Sequence, residues 1–153
     1  MKKILFCRLL AFVALTVLAV SATAQQKKPL LNHLALSVKD LAKSTAFYSQ
    51  IIQIDTIPEP FHDGKHTWFK IAEHSHLHLI QYDNGIIVPA KGTHLCFSVA
   101  SIEEVIKRLN KNNVTWGNWN GEKSTITKRV DGVQQIYFQD PDGYWIEIND
   151  DKY

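Results

Sequence analysis

A short pattern occurs twice. His33-Leu34-x-x-Ser37-Val38 returns as His94-Leu95-x-x-Ser98-Val99 after 61 positions, and each copy runs directly into a helical pattern. A chain that repeats at this spacing builds one supersecondary unit twice and must bury the corresponding face twice. Both copies alternate as strands do, with His33, Ala35 and Ser37 on one face and Leu34, Leu36 and Val38 on the other, then His94, Cys96 and Ser98 against Leu95, Phe97 and Val99.

The segments after the two strands are also alike. Asp40 is placed to cap a helix whose apolar positions Leu41, Phe47, Tyr48, Ile51 and Ile52 share one side. Strand signals come next around residues 54–57, 67–71 and 76–82, separated by Pro58, Pro60, Asp63-Gly64 and Asn84-Gly85. In the second half Ser101 and Glu104 form a capping box ahead of the stripe Ile102, Val105, Ile106 and Leu109, and strands are expected around 114–119, 133–139 and 144–149. Asp140-Pro141-Asp142-Gly143 makes the tight turn into the last of these. Strand, helix and three strands, twice over, predicts an α+β domain of two tandem βαβββ modules, about 31–85 and 93–149.

The last strand of each half carries an ionisable group, His78 in the first and Glu147 in the second. Their offset is 69, eight longer than that of the first strands, and the polar stretch 120–132 can absorb the difference. His33, His78, His94 and Glu147 all stand opposite the strongly apolar face of their strand. With helices on the apolar faces, two halves curling together would form an open barrel with these four groups inside. Neutral imidazoles and a carboxylate converging on one cavity are the ligand set of zinc, nickel, cobalt, manganese or iron(II).

The N-terminus is expected to be removed. Lys2, Lys3 and Arg8 precede an apolar run over 9–20, and Ala22-Thr23-Ala24 supplies the small-x-small pattern of a signal-peptidase site, so residues 1–24 read as a signal peptide and 25–30 as a linker before a domain at 31–150. The run is short for a membrane span. A periplasmic or secreted protein with no membrane association after cleavage is the expectation. Removal takes the formal balance from 17 cations against 15 anions to 14 against 15, and no basic patch remains for a nucleic acid. The mature chain would keep one cysteine, Cys96, and so no internal disulfide.

Leu31-Asn32-His33, Val38-x-Asp40-Leu41, Ser44-x-x-Phe47-Tyr48, His94 and Asp140-Pro141-Asp142-Gly143-Tyr144-x-Ile146-Glu147 together resemble the vicinal oxygen chelate superfamily, which includes glyoxalase I, fosfomycin-resistance proteins and extradiol dioxygenases. The resemblance implies an open, U-shaped mixed barrel with helices outside, one divalent metal ion, and commonly a homodimer. It puts metal ligands at His33, His94 and Glu147, and His78 at a fourth position that is Glu in glyoxalase I. The leading expectation is a lyase or isomerase of glyoxalase I type acting on a small molecule through an enediolate, with Glu147, and His78 if the imidazole takes that role, as proton-transfer groups. An iron(II) ring-cleaving dioxygenase using His33, His94 and Glu147, and a binding or resistance module without chemistry, are the alternatives. Trp68, Trp116, Trp119 and Tyr137 are available to line a cavity, and Arg129 to hold an anionic substrate group. His74 and His76 are expected near a strand rim, His62 and His66 in loops or at the rim.

Overall fold

The computed structural model describes residues 28–82, 84–85 and 89–152. The chain divides into two units, Met1–Leu30 and Leu31–Tyr153, and the expected signal peptide, residues 1–24, lies wholly outside the described residues. Among those residues no helix is long and apolar enough to cross a membrane.

Two sheets carry the second unit. The first is ordered β1-β4-β3-β2, from β1 (His33–Val38), β2 (Thr56–Ile57), β3 (His66–Ala72) and β4 (Ser75–Gln81). The second runs β5-β9-β8-β6, from β5 (Leu95–Ser98), β6 (Trp116–Gly117), β8 (Gln134–Gln139) and β9 (Trp145–Asn149), with β7 (Thr127–Lys128) pairing β8 from outside that path. In each sheet the first and last strands of a module lie side by side and parallel, and the remaining pairs are antiparallel. The duplication is therefore a duplication of topology. β7 has no apolar alternation, and it occupies part of the polar stretch that lengthens the second half.

Helix α1 (Leu41–Phe47) starts where Asp40 accepts a hydrogen bond from the Lys43 N–H. It continues into a π-helical turn, Tyr48–Ile52, closed by Gln53 in the left-handed region, where the Gln53 N–H returns to Tyr48 O. The apolar spacing of Tyr48, Ile51 and Ile52 suits an α-helix equally well, so this widening is not legible in the sequence. Helix α2 (Ile102–Lys111) starts on Ser101, whose Oγ accepts from the Glu104 N–H and donates to Glu103. The expected capping box is thus half formed: Ser101 caps the Glu104 N–H, while Glu103 rather than Glu104 takes the Ser101 hydroxyl.

One continuous core joins the modules. Leu36, Val38, Phe69, Leu77 and Leu79 of the first sheet, Ile136, Phe138, Ile146 and Ile148 of the second, and Val105 and Leu109 of α2 are buried in it. Each full burial of such a side chain contributes about 1.5–3 kcal/mol before the entropy of ordering is counted. The turn before β9 adds a polar clamp. Tyr48 donates to Asp140 Oδ2 at 2.8 Å, Ser44 Oγ to Asp142 Oδ2 at 2.6 Å, the Lys39 N–H to Asp142 Oδ1 at 2.8 Å, and the Tyr144 hydroxyl to Ser37 O at 3.1 Å. Every one of these joins the second module to the first.

Candidate metal centre

The face of each sheet opposite the core is polar and aromatic, because strand alternation sends every second side chain there. In the first sheet the register places Ala35, His78 and Trp68 in one row and His33 and His76 in the next. Trp68 lies 4.5 Å from His78 and 5.6 Å from His33, centroid to centroid, and His33 and His78 are 6.1 Å apart edge to face. Burial, then the neighbouring His66 and His33, push His78 below the ordinary imidazole range, so it is neutral at pH 7 and has a lone pair to offer. Trp68 Nε1 and His76 Nδ1 are buried on this face without a hydrogen-bond partner.

In the second sheet the row is Cys96, Glu147 and Tyr137. His94 falls one residue before β5, and its Nε2 lies 3.2 Å from Glu147 Oε2. Tyr137 donates to Glu147 Oε2 at 2.5 Å, Asn149 Nδ2 to Oε1 at 3.1 Å, and the Cys96 thiol to Oε1 at 3.4 Å. Burial pushes the Glu147 carboxyl up, but Tyr137, Asn149, Cys96 and His94 together outweigh it and hold it below the usual carboxylate range. Burial and the Glu147 charge push the Cys96 thiol up to about 12.

The second-sheet pair, His94 and Glu147, fits two donors of a divalent ion. His33 Nδ1 is 2.7 Å from Asn32 Oδ1 and His94 Nδ1 is 2.9 Å from Lys91 O, and each acceptor places the ring proton on Nδ1 and leaves Nε2 free for an ion. Two donors bound at ~2.1 Å stand roughly 3.0–3.4 Å apart for angles between octahedral and tetrahedral. The His94 to Glu147 separation of 3.2 Å falls in that interval.

The four expected ligands are thus gathered as two pairs, one on each sheet. Among the described residues no group of three or more His, Cys, Asp or Glu side chains is placed to hold a metal ion within one chain. The physical reason is topological: β1 adjoins β4 and β5 adjoins β9, so each sheet brings together only its own two donors. Of the expected substrate-binding residues, Trp68 and Tyr137 flank the two pairs, whereas the Arg129 guanidinium is ion-paired with Asp131 and lies 3.6 Å from Asp151. Trp119 is 6.4 Å from His94 and 5.5 Å from Tyr137, centroid to centroid.

Sequence reasoning missed three contributors. His66, expected in a loop or at a rim, opens β3 and contacts His78 at 2.7 Å. Asn149, two residues beyond Glu147 on one face, could have been found by alternation. Lys91 could not: its ammonium sits over the rings of Trp119, Tyr137 and Trp145 and donates to Asn118 O and Trp119 O, while its own carbonyl orients His94.

Two sheets of βαβββ topology carrying paired His and Glu donors opposite a shared core define a glyoxalase-fold protein. The family model described as Glyoxalase/Bleomycin resistance protein/Dioxygenase superfamily matches residues 30–148, and the chain belongs to that superfamily. It is 26% identical over 150 residues to a lactoylglutathione lyase of Pseudomonas putida, covering 76% of this chain and 82% of that protein. It is 28% identical over 127 residues to the metallothiol transferase FosB of Staphylococcus saprophyticus, covering 78% and 75%. Among solved structures, a glyoxalase family protein from Bacillus anthracis superposes with a TM-score of 0.63 at 26% identity, covering 84% of this chain and 99% of that one. Members of this superfamily bind a divalent metal, act on small molecules and are mostly metal-dependent enzymes.

Proposed function

We propose that the chain is an exported, divalent-metal-dependent lyase or isomerase of glyoxalase I type, acting on a small substrate with adjacent oxygens. The observation that carries this reading is Glu147, held ionised by Tyr137 and Asn149 while lying 3.2 Å from His94. His33, His78, His94 and Glu147 would hold the ion. When bound, the ion supplies Lewis acidity toward the substrate oxygens. Glu147 is the carboxylate that takes and returns the proton next to the substrate carbonyl. Tyr137 and Asn149 fix the rotamer of Glu147, Trp68 stands beside His33 and His78, and Trp119 beside His94.

A complete ligand set is reached when the first sheet of one subunit faces the second sheet of another. Apolar side chains beside each half-site support such a homodimer: Phe61, 55% exposed, lies against His66, and Trp119, 47% exposed, lies beside His94. Export rests on the pattern in residues 1–24. N-terminal sequencing of the protein recovered from outside the cytoplasm should begin at Gln25.

The first test is metal content by elemental mass spectrometry, as purified and after reconstitution, beside the formation of lactoylglutathione from the hemithioacetal of methylglyoxal and glutathione. Near-stoichiometric metal is expected, lost in His94→Ala. Glu147→Gln should lower turnover by about 10²–10⁴-fold. Unchanged turnover in that variant would sink the proton-transfer role. Bound iron with oxygen uptake on catechols would favour the dioxygenase, and no metal under any condition the binding module.

A further inference from the structure

The histidine pair on the first sheet has a directionality that neither the repeat nor the ligand set uses. We propose that His66, anchored beside Asp63, is the positioning residue of His78: it accepts the Nε2–H of His78 and leaves Nδ1 as the nitrogen His78 offers to a divalent ion. The part concerning the ion rests on the metal reading above.

His66 and His78 are diagonal neighbours on β3 and β4, whose register pairs His66 with Ile80 and Trp68 with His78. His66 Nδ1 and His78 Nε2 are 2.7 Å apart, and the ring centroids 4.9 Å. These two distances separate the ways two imidazoles can meet. Two rings converging on one ion through nitrogens 2.7 Å apart, with bonds of ~2.1 Å, would have centroids about 4.2 Å apart. Rings meeting head-on through a hydrogen bond of that length would have centroids about 5.0 Å apart. The observed 4.9 Å is the hydrogen bond.

One proton therefore lies between the two rings, and the far side of His66 decides which ring owns it. His66 Nε2 is 3.4 Å from Asp63 Oδ2, and the nearby carboxylate charge favours the tautomer with the His66 proton on Nε2. His66 Nδ1 is then the acceptor, and His78 must donate from Nε2. Phe61 packs 4.5 Å from the His66 ring and Trp68 4.5 Å from the His78 ring, centroid to centroid. His33 and His94, with their Nδ1 protons engaged by Asn32 and Lys91, present the opposite nitrogen. The ion would meet Nε2 of two histidines and Nδ1 of the third.

The test reads tautomers and metal affinity separately. Long-range ¹H–¹⁵N spectra of the metal-free protein at pH 7.5 should show His78 protonated on Nε2. His66→Phe, which keeps a ring but removes the acceptor, should release His78 into a mixture of tautomers and weaken zinc binding about 10–100-fold. His66→Asn, whose carbonyl oxygen stands close to where Nδ1 was, should restore both. Thermal melts of the two variants establish that they fold. A wild-type His78 protonated on Nδ1, or a His78 tautomer unchanged in His66→Phe, overturns the proposal even if zinc binds. If the tautomer tracks His66 while no variant and no wild type takes zinc, the metal reading falls and the positioning by His66 stands.

Discussion

The residues around Glu147 show how one carboxylate sets the behaviour of its neighbours. Cys96 and Tyr137 are both pushed up by burial and by the charge of Glu147, so each stays protonated and donates to it. An accessible thiol at about 12 has almost no thiolate at neutral pH. Cys96 should react with thiol reagents at pH 7.5 roughly a thousandfold or more slowly than free cysteine. Glu147→Gln should speed that reaction by removing the charge, and a fast reaction in the unaltered protein would contradict the hydrogen bond to Glu147. Alternation identified Glu147 and Cys96 as sharing a face; their contact needed β5 and β9 to pair in register. Alternation puts His66 on the face of Trp68, but Asp63-Gly64-Lys65 before it reads as a turn, which points to a loop or the rim rather than to contact with His78.

At the scale of elements, the motif residues Ser44, Tyr48, Asp140, Asp142 and Tyr144, away from the candidate metal centre, form the clamp between modules. Asp140 is buried and accepts from the Tyr48 hydroxyl and from the N–H groups of Asp142 and Tyr144. Burial pushes its carboxyl up, and those donors pull against it. Tyr48→Phe leaves a buried carboxylate short of a donor and should cost about 1–3 kcal/mol. For a domain of this size that is a fall in Tm of roughly 3–10 °C. Ser44→Ala, which leaves Asp142 its Lys39 N–H, should cost less. Calorimetry on both checks the order, and equal stability of Tyr48→Phe and the unaltered protein would remove the clamp. The turn and both helix starts were readable from Asp, Pro, Gly and Ser at fixed offsets. The partners of the turn were not, since Asp142 and Ser44 are 98 positions apart.

For the whole molecule, the two half-sites on two sheets make a sharper prediction than mass alone. Sedimentation at micromolar concentration should give a dimer. His78→Ala and His94→Ala chains, each expected to lose its sites, should regain about a quarter of the metal sites when refolded together, because a mixed dimer pairs one intact first sheet with one intact second sheet. No recovery on mixing would mean that each chain builds its site alone.

Local chemistry in the chain determined the repeated unit, its strand faces, its caps and the residue types that can hold a metal, because periodicity and turn propensity act over a few residues. Tertiary structure decided the rest: that the donors fall into two pairs, that His66 governs His78, that Arg129 is engaged by Asp131, and that the turn before β9 is the clamp between modules. These depend on which strands become neighbours, and that choice is made by burial of one shared core rather than by any local pattern.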